Sequence, residues 1–150
     1  MQTTPNIGLQ LPATGSTGWA PAVNFNFSAI DTAFAAIPRS TPNFSGSFLG
    51  MPLAGVWVYL TVVAQPCLFA GNFAGSTAYC GENPTATATF VINKNDVAIG
   101  ALAFSTAGVA SFTTPGGVSE YFSAGDRMTI VAPTTQDLTL GDIAFALLCQ

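Results

Sequence analysis

The sequence predicts a mainly β protein: a jelly-roll-like antiparallel β-sandwich preceded by an extended N-terminal arm and one short helix. Three observations carry that reading. From residue 48 onward apolar residues recur with period two, the side-chain period of a strand. Gly, Pro, Asn and Asp cluster between those runs, as turns require. Ahead of them, residues 21–37 carry apolar residues at helical spacing, after a segment too rich in Pro and Gly for a regular helix.

In residues 1–20, Ile7, Leu9, Leu11 and Trp19 are spaced among Thr, Pro, Gly and Asn. So short a segment cannot bury them within itself, so they are expected to dock on a partner. Over 21–37, Pro21 suits a first helical turn and Pro38 stops the helix. Val23, Phe27, Ile30, Phe34 and Ile37 recur at alternating spacings of four and three, the seam of a coiled coil. At 1.5 Å per residue such a helix is about 25 Å long and near the lower limit of stability alone. Its stripe can pack on the sandwich or on the same helix of sister chains. Residues 38–46 read as a linker. The division is therefore arm, helix and linker over 1–46 and a β-sandwich head over 47–150.

In 56–63, Val56, Val58, Leu60 and Val62 share one parity, with Trp57, Tyr59 and Thr61 on the other. Both faces are apolar enough to be covered, one by the core and one by an interface. In 85–92, Ala86, Ala88, Phe90 and Ile92 point inward and Thr85, Thr87 and Thr89 outward. Residues 93–96 form a tight turn. In 97–104 the phase slips at Gly100, which signals a bulge. A short strand over 108–113 ends at Pro115-Gly116-Gly117. Met128 and Ile130 point inward in 127–132, and Ile143, Phe145, Leu147 and Cys149 share a face in 142–149. Seven or eight such strands read as a sandwich. Residues 65–84 are the longest irregular stretch, a length usually tied to function or assembly.

Charge content is the outlying number. Only 7% of residues are charged, against roughly 25% in an average domain. A charge-poor surface is expected to be covered by copies of itself or by a larger assembly. The three basic residues, Arg39, Lys94 and Arg127, are far apart. Nucleic-acid binding and a polybasic membrane patch therefore have no support. No apolar run has the ~18 residues of a membrane span, and the N-terminus lacks the pattern of a secretory signal. The expected site of folding is the cytoplasm. There Cys67, Cys80 and Cys149 are expected as free thiols, although Cys67 and Cys80 can pair across a loop.

The chain has no histidine, which removes the commonest general base and metal ligand. No phosphate loop is present. Of the seven acids, most sit in turns, where Asp caps backbone amides. Asp137 and Asp142 lie close enough in sequence for a calcium site, but no dense acidic loop surrounds them. The expectation is therefore no enzyme, no cofactor and no metal. In the irregular stretch, Phe69, Phe73, Tyr79 and Asn83 form a candidate receptor or glycan loop, since aromatic faces and amides suit a sugar. The favoured reading of Phe69 and Phe73 is that they cap the end of the sandwich or fill an interface, since large apolar side chains bury themselves.

The N-terminal residues Thr4-Pro5-Asn6, Thr17-Gly18-Trp19 and Asn24-Phe25-Asn26-Phe27 resemble the anchoring region of tailed-phage fibre and spike proteins. Downstream, Ile92-Asn93-Lys94-Asn95, Phe122-Ser123-Ala124-Gly125-Asp126 and Thr139-Leu140-Gly141-Asp142-Ile143 look like β-sandwich domains of phage fibre-type proteins. The resemblance implies a virion protein assembled in the host cytoplasm. It implies a homotrimer whose N-terminal region binds a tail adaptor, a portal-proximal protein or a capsid protein. On it, Ile7, Leu9, Leu11 and Trp19 are the virion anchor, and the 21–37 seam packs between chains. The head would then project from the particle and could meet a host surface glycan. The chain departs from long tail fibres in having no extended shaft. A capsid cement or decoration protein and a carbohydrate-binding module remain alternative readings.

Overall fold

The computed structural model describes residues 2–3, 10–11, 17, 20–36 and 43–150. The chain forms two compact units, residues 1–40 and 41–150. In the first, β1 (Gln2–Thr3) pairs antiparallel with β2 (Gln10–Leu11), a pairing that the reading of an extended arm does not include. It is followed by α1 (Ala20–Ala36), a helix of 17 residues. Along its seam Val23 and Ile30 are half-buried, while Phe27 is 66% exposed and its neighbour Phe25 46%. No described helix is long and apolar enough to cross a membrane.

The second unit is mainly β, as the alternation predicts. Its strands are β3 (Asn43–Phe48), β4 (Trp57–Val62), β5 (Cys67–Phe69), β6 (Thr77–Glu82), β7 (Ala88–Lys94), β8 (Val97–Phe104), β9 (Ala110–Thr113), β10 (Glu120–Phe122), β11 (Arg127–Val131) and β12 (Gly141–Leu148). Strand β3 begins inside the stretch read as linker. One sheet has the order β4-β11-β7-β8-β9, the other β3-β12-β6, and β5 pairs with β10; every pairing is antiparallel. Within the larger sheet β11 returns to lie beside β7, which makes β11-β7-β8-β9 a Greek key. One core fills the space between the sheets, with Phe90, Leu102, Phe104, Met128 and Ile130 from one side and Ile143, Phe145 and Leu147 from the other. The Tyr59 and Phe145 rings meet edge to face at 5.0 Å between β4 and β12.

Within β7, β11 and β12 the expected inward residues are buried, as is Thr129 on β11, while Ala86, expected inward just ahead of β7, is exposed. The slip in β8 is also present: Gly100 pairs with Ile92 and Ala98 with Asn93, leaving Ile99 as the extra residue. A Cβ at Gly100 would come within 2.5 Å of the Thr113 carbonyl oxygen and 2.7 Å of the Phe73 ring, so the backbone there must be bare. The turn that follows β7 places Asn95 and Asp96 at φ 48° and 69°, the paired left-handed geometry of a two-residue hairpin.

Strand β4 departs from simple alternation. Its register to β11 shifts between Ile130 and Val131, so Tyr59 pairs with Ile130 but Trp57 with Val131, and Val58 is extra. A bulge turns two consecutive side chains to one side. Val58 is buried and Tyr59 half-buried, whereas Trp57, Leu60 and Val62 are exposed at 55%, 51% and 61%. Val58 and Leu60, expected on one face, are therefore on opposite faces.

The chain enters the sandwich at Asn43, paired with Leu148. At that end Lys94 pairs with Asp126 at 3.2 Å and Arg127 with Asp96. At the far end the connections around residues 50, 55, 85 and 137 meet. Gly55 N–H donates to the Pro133 carbonyl at 3.0 Å, and Gly50 N–H to Asp142 Oδ1 at 2.7 Å.

Candidate functional site

The stretch 65–84 is not irregular. It contains β5, a short 3-10 turn (Gly71–Phe73) and β6. Phe69 and Phe73 are 0% and 1% exposed, and the Phe69 ring contacts those of Phe44, Phe73 and Phe122 at 5.6, 5.4 and 5.2 Å. These rings fill the core and present no face to a ligand. Tyr79 is 66% exposed on β6, pointing away from the core. Asn83 turns its Oδ1 toward the Cys80 thiol, 3.8 Å away. Of the four residues read as a candidate receptor loop, Phe69 and Phe73 meet, but in the core, and the four do not form one exposed surface. The turn is held instead by Asn72, whose N–H donates to Thr114 Oγ1 and whose Oδ1 accepts from Thr114 N–H.

The cysteines also differ from expectation. Cys67 is joined to Cys149 by a disulfide, with Cα atoms 5.8 Å apart, and Cys80 is the free buried thiol. The cause is strand register. Leu68 and Gln150 exchange two backbone hydrogen bonds of 2.9 Å, which sets β5 beside the end of β12 and brings together residues 82 positions apart. Burial pushes the Cys80 thiol up, so it remains protonated and weakly nucleophilic.

Of the anchor residues, Ile7, Leu9 and Trp19 lie outside the described residues, as does the side chain of Leu11. Of the helix seam, the Phe34 side chain and Ile37 do too.

Where the 85–89 segment and the 132–139 loop face each other, they leave a cleft of about 710 Å³ at the far end of the sandwich. Its two walls are tied together by one carboxylate. Asp137 Oδ2 accepts from Thr85 N–H and Oγ1–H, each at 2.8 Å, and from Ala86 N–H at 3.3 Å. Its Oδ1 accepts from Thr139 N–H at 2.9 Å and Oγ1–H at 2.7 Å. The Thr139 hydroxyl and amide, followed by the Thr85 hydroxyl, hold Asp137 well below the usual carboxylate range. Those bonds keep residues 85–87 out of β7, which begins at Ala88 although the alternation starts at Thr85. Asp142 serves a different segment through Gly50, so the two acids do not converge.

A carboxylate with a depressed folded pKa stabilises the fold above its unfolded value, near ~3.9, and ceases to do so as pH falls toward the folded value. Asp137→Asn should therefore lower the denaturant midpoint at neutral pH. The gap to wild type should narrow as pH is taken below about 4. A gap that stayed constant with pH would remove Asp137 as the pin of this cleft.

Sequence reasoning placed Thr85, Thr87 and Thr89 outward without seeing the cleft, because the opposing wall comes from a loop some 50 residues later. The density of Thr in both segments is the signal that was present. The chain matches no protein-family model, no curated protein and no solved structure.

Proposed function

We propose that this chain is a structural virion protein of a tailed phage. In this reading it is a homotrimeric fibre or spike component, held to the particle by its N-terminal region and projecting a β-sandwich head. The phage assignment draws on the likeness of its Thr4-Pro5-Asn6, Thr17-Gly18-Trp19 and Asn24-Phe25-Asn26-Phe27 motifs to fibre anchors. The observation that carries the assembly is the exposure of Phe27 on the seam of α1, with Phe25 exposed beside it. Phe27 and Phe25 stay exposed between half-buried Val23 and Ile30, in a chain with few charges to solvate a surface. A helix of this length gains its stability from packing its apolar stripe, and sister helices supply a stripe of the same spacing. The sandwich lends itself to a projecting role, because its far end carries a cleft while the chain enters at the other.

Light scattering on the purified protein at micromolar concentration should give three times the chain mass. Phe27→Asp should shift the mass toward one chain while the β circular dichroism stays unchanged, because a charge in a helix seam is not tolerated. A wild-type protein that runs as a stable monomer sinks the trimer. Deleting residues 1–20 should release the head from particles without unfolding it, and retained incorporation refutes the anchor.

A further inference from the structure

The cleft at the far end of the sandwich has a chemistry that the fold itself does not use. Its volume of about 710 Å³ lies within the range of small-ligand sites. Thr87 and Thr89 line one wall, and Thr134, Thr135 and Gln136 the other. Val91 and Val131, paired across β7 and β11, make an apolar floor. Asp137 is the one ionisable side chain among the described lining residues, and both its oxygens are taken up by the loop bonds. The hydroxyls of Thr87, Thr89, Thr134 and Thr135 and the Gln136 amide make no hydrogen bond to other described groups. Beside the floor stands an aromatic. Trp57 is opposite Val131 in the β4–β11 register and 55% exposed. Directly opposed residues have Cβ atoms ~4.5–5.5 Å apart, which places Trp57 next to the floor residue Val131, although Trp57 is not itself among the lining residues.

We propose that this cleft binds a neutral saccharide, with Trp57 as its stacking face and the threonine hydroxyls and Gln136 as its hydrogen-bonding wall. A sugar ring presents an apolar C–H face and a rim of hydroxyls. The indole matches the first, and hydroxyl and amide groups, which both donate and accept, match the second. The ligand is neutral because no cation lines the cleft among the described residues to meet a carboxylate, sulfate or phosphate, and both oxygens of the one carboxylate there are taken up by the loop bonds. The proposal stands on one sandwich alone and does not rest on the virion reading. A monomeric protein that binds sugar would refute the trimer and leave this site intact.

The test is a glycan array of neutral and acidic saccharides probed with the full chain, followed by titration of the strongest neutral hit. At least one neutral saccharide should bind, with the same affinity at low and high salt, since no charge is involved. Trp57→Ala should weaken it about 10-fold and Thr87→Val roughly 3-fold, while Ser45→Ala, on the other sheet, should leave it unchanged. Trp57 and Thr87 are both solvent-exposed, and thermal unfolding of each variant checks that the fold is kept. An array that binds no saccharide, or only acidic ones, overturns the proposal. So does a neutral hit whose affinity is the same in wild type, Trp57→Ala and Thr87→Val.

Discussion

Replacing Cys67 and Cys149 together by alanine should lower the stability of the head by about 4 kcal/mol, within the usual range of ~2–5 kcal/mol for a native disulfide. The link spans 82 residues. In the loop-closure description a crosslink of that span removes nearly as much unfolded-chain entropy as one of ~100 residues, worth ~4.7 kcal/mol. It joins the start of β5 to the residue after β12, and so ties the last strand of the smaller sheet to the β5–β10 pair. Alanine is the informative replacement, because both cysteines are buried, at 3% and 0% exposure. Serine would add the cost of an unpaired hydroxyl. Chemical denaturation with and without reductant separates the contributions. Reductant should move the wild-type midpoint down to that of the double variant and leave the double variant where it is. Cys80→Ala should keep the reductant response of the wild type. A wild-type midpoint indifferent to reductant would falsify the crosslink. A domain of ordinary stability has ~5–15 kcal/mol in total, so the expected loss is a large fraction of what holds the head together.

What the sequence made legible, and what it hid, divides by the range of the interaction. The inward sets of β7, β11 and β12 and the turn at Asn95 and Asp96 were readable, because alternation and positive φ are local properties. The bulge at Ile99 was readable because the slip occurs within its own strand. The bulge at Val58 was not. Valine, leucine and valine continue an aliphatic parity through it, and only the β11 register turns Leu60 outward. Cys67 and Cys149 are linked by a pairing of β5 with residue 150 that leaves no trace in local spacing. The cleft follows the same pattern. Thr87 and Thr89 read correctly as an outer face, but a second wall from residues 134–136 is needed to make a site of it. The burial of Phe69 and Phe73 was legible from their size, but the strands around them were not, because β5 is three residues long and β6 opens with Thr and Ala.

Phe69→Ala should cost about 3–5 kcal/mol, the range for truncating a buried phenylalanine. The ring is fully buried and is the hub of a four-ring cluster, touching Phe44 on β3, Phe73 in the 3-10 turn and Phe122 on β10. Each neighbour would lose an aromatic contact as well as a wall, so the cost combines lost transfer energy with a cavity that surrounding strands cannot close. Phe69→Leu, which keeps most of the volume, should cost less. Tyr79→Ala, on the outward side of β6 and 66% exposed, should stay within ~0.5 kcal/mol of wild type. The set discriminates between two roles for the 65–84 segment. If Phe69 were a ligand-stacking residue, its truncation would leave the denaturant midpoint in place and abolish binding. As a core residue it should move the midpoint far more than Tyr79 does. A sugar bound in the cleft 85–139 should then stabilise the Tyr79→Ala and wild-type proteins alike, because neither that side chain nor its strand lines the cleft.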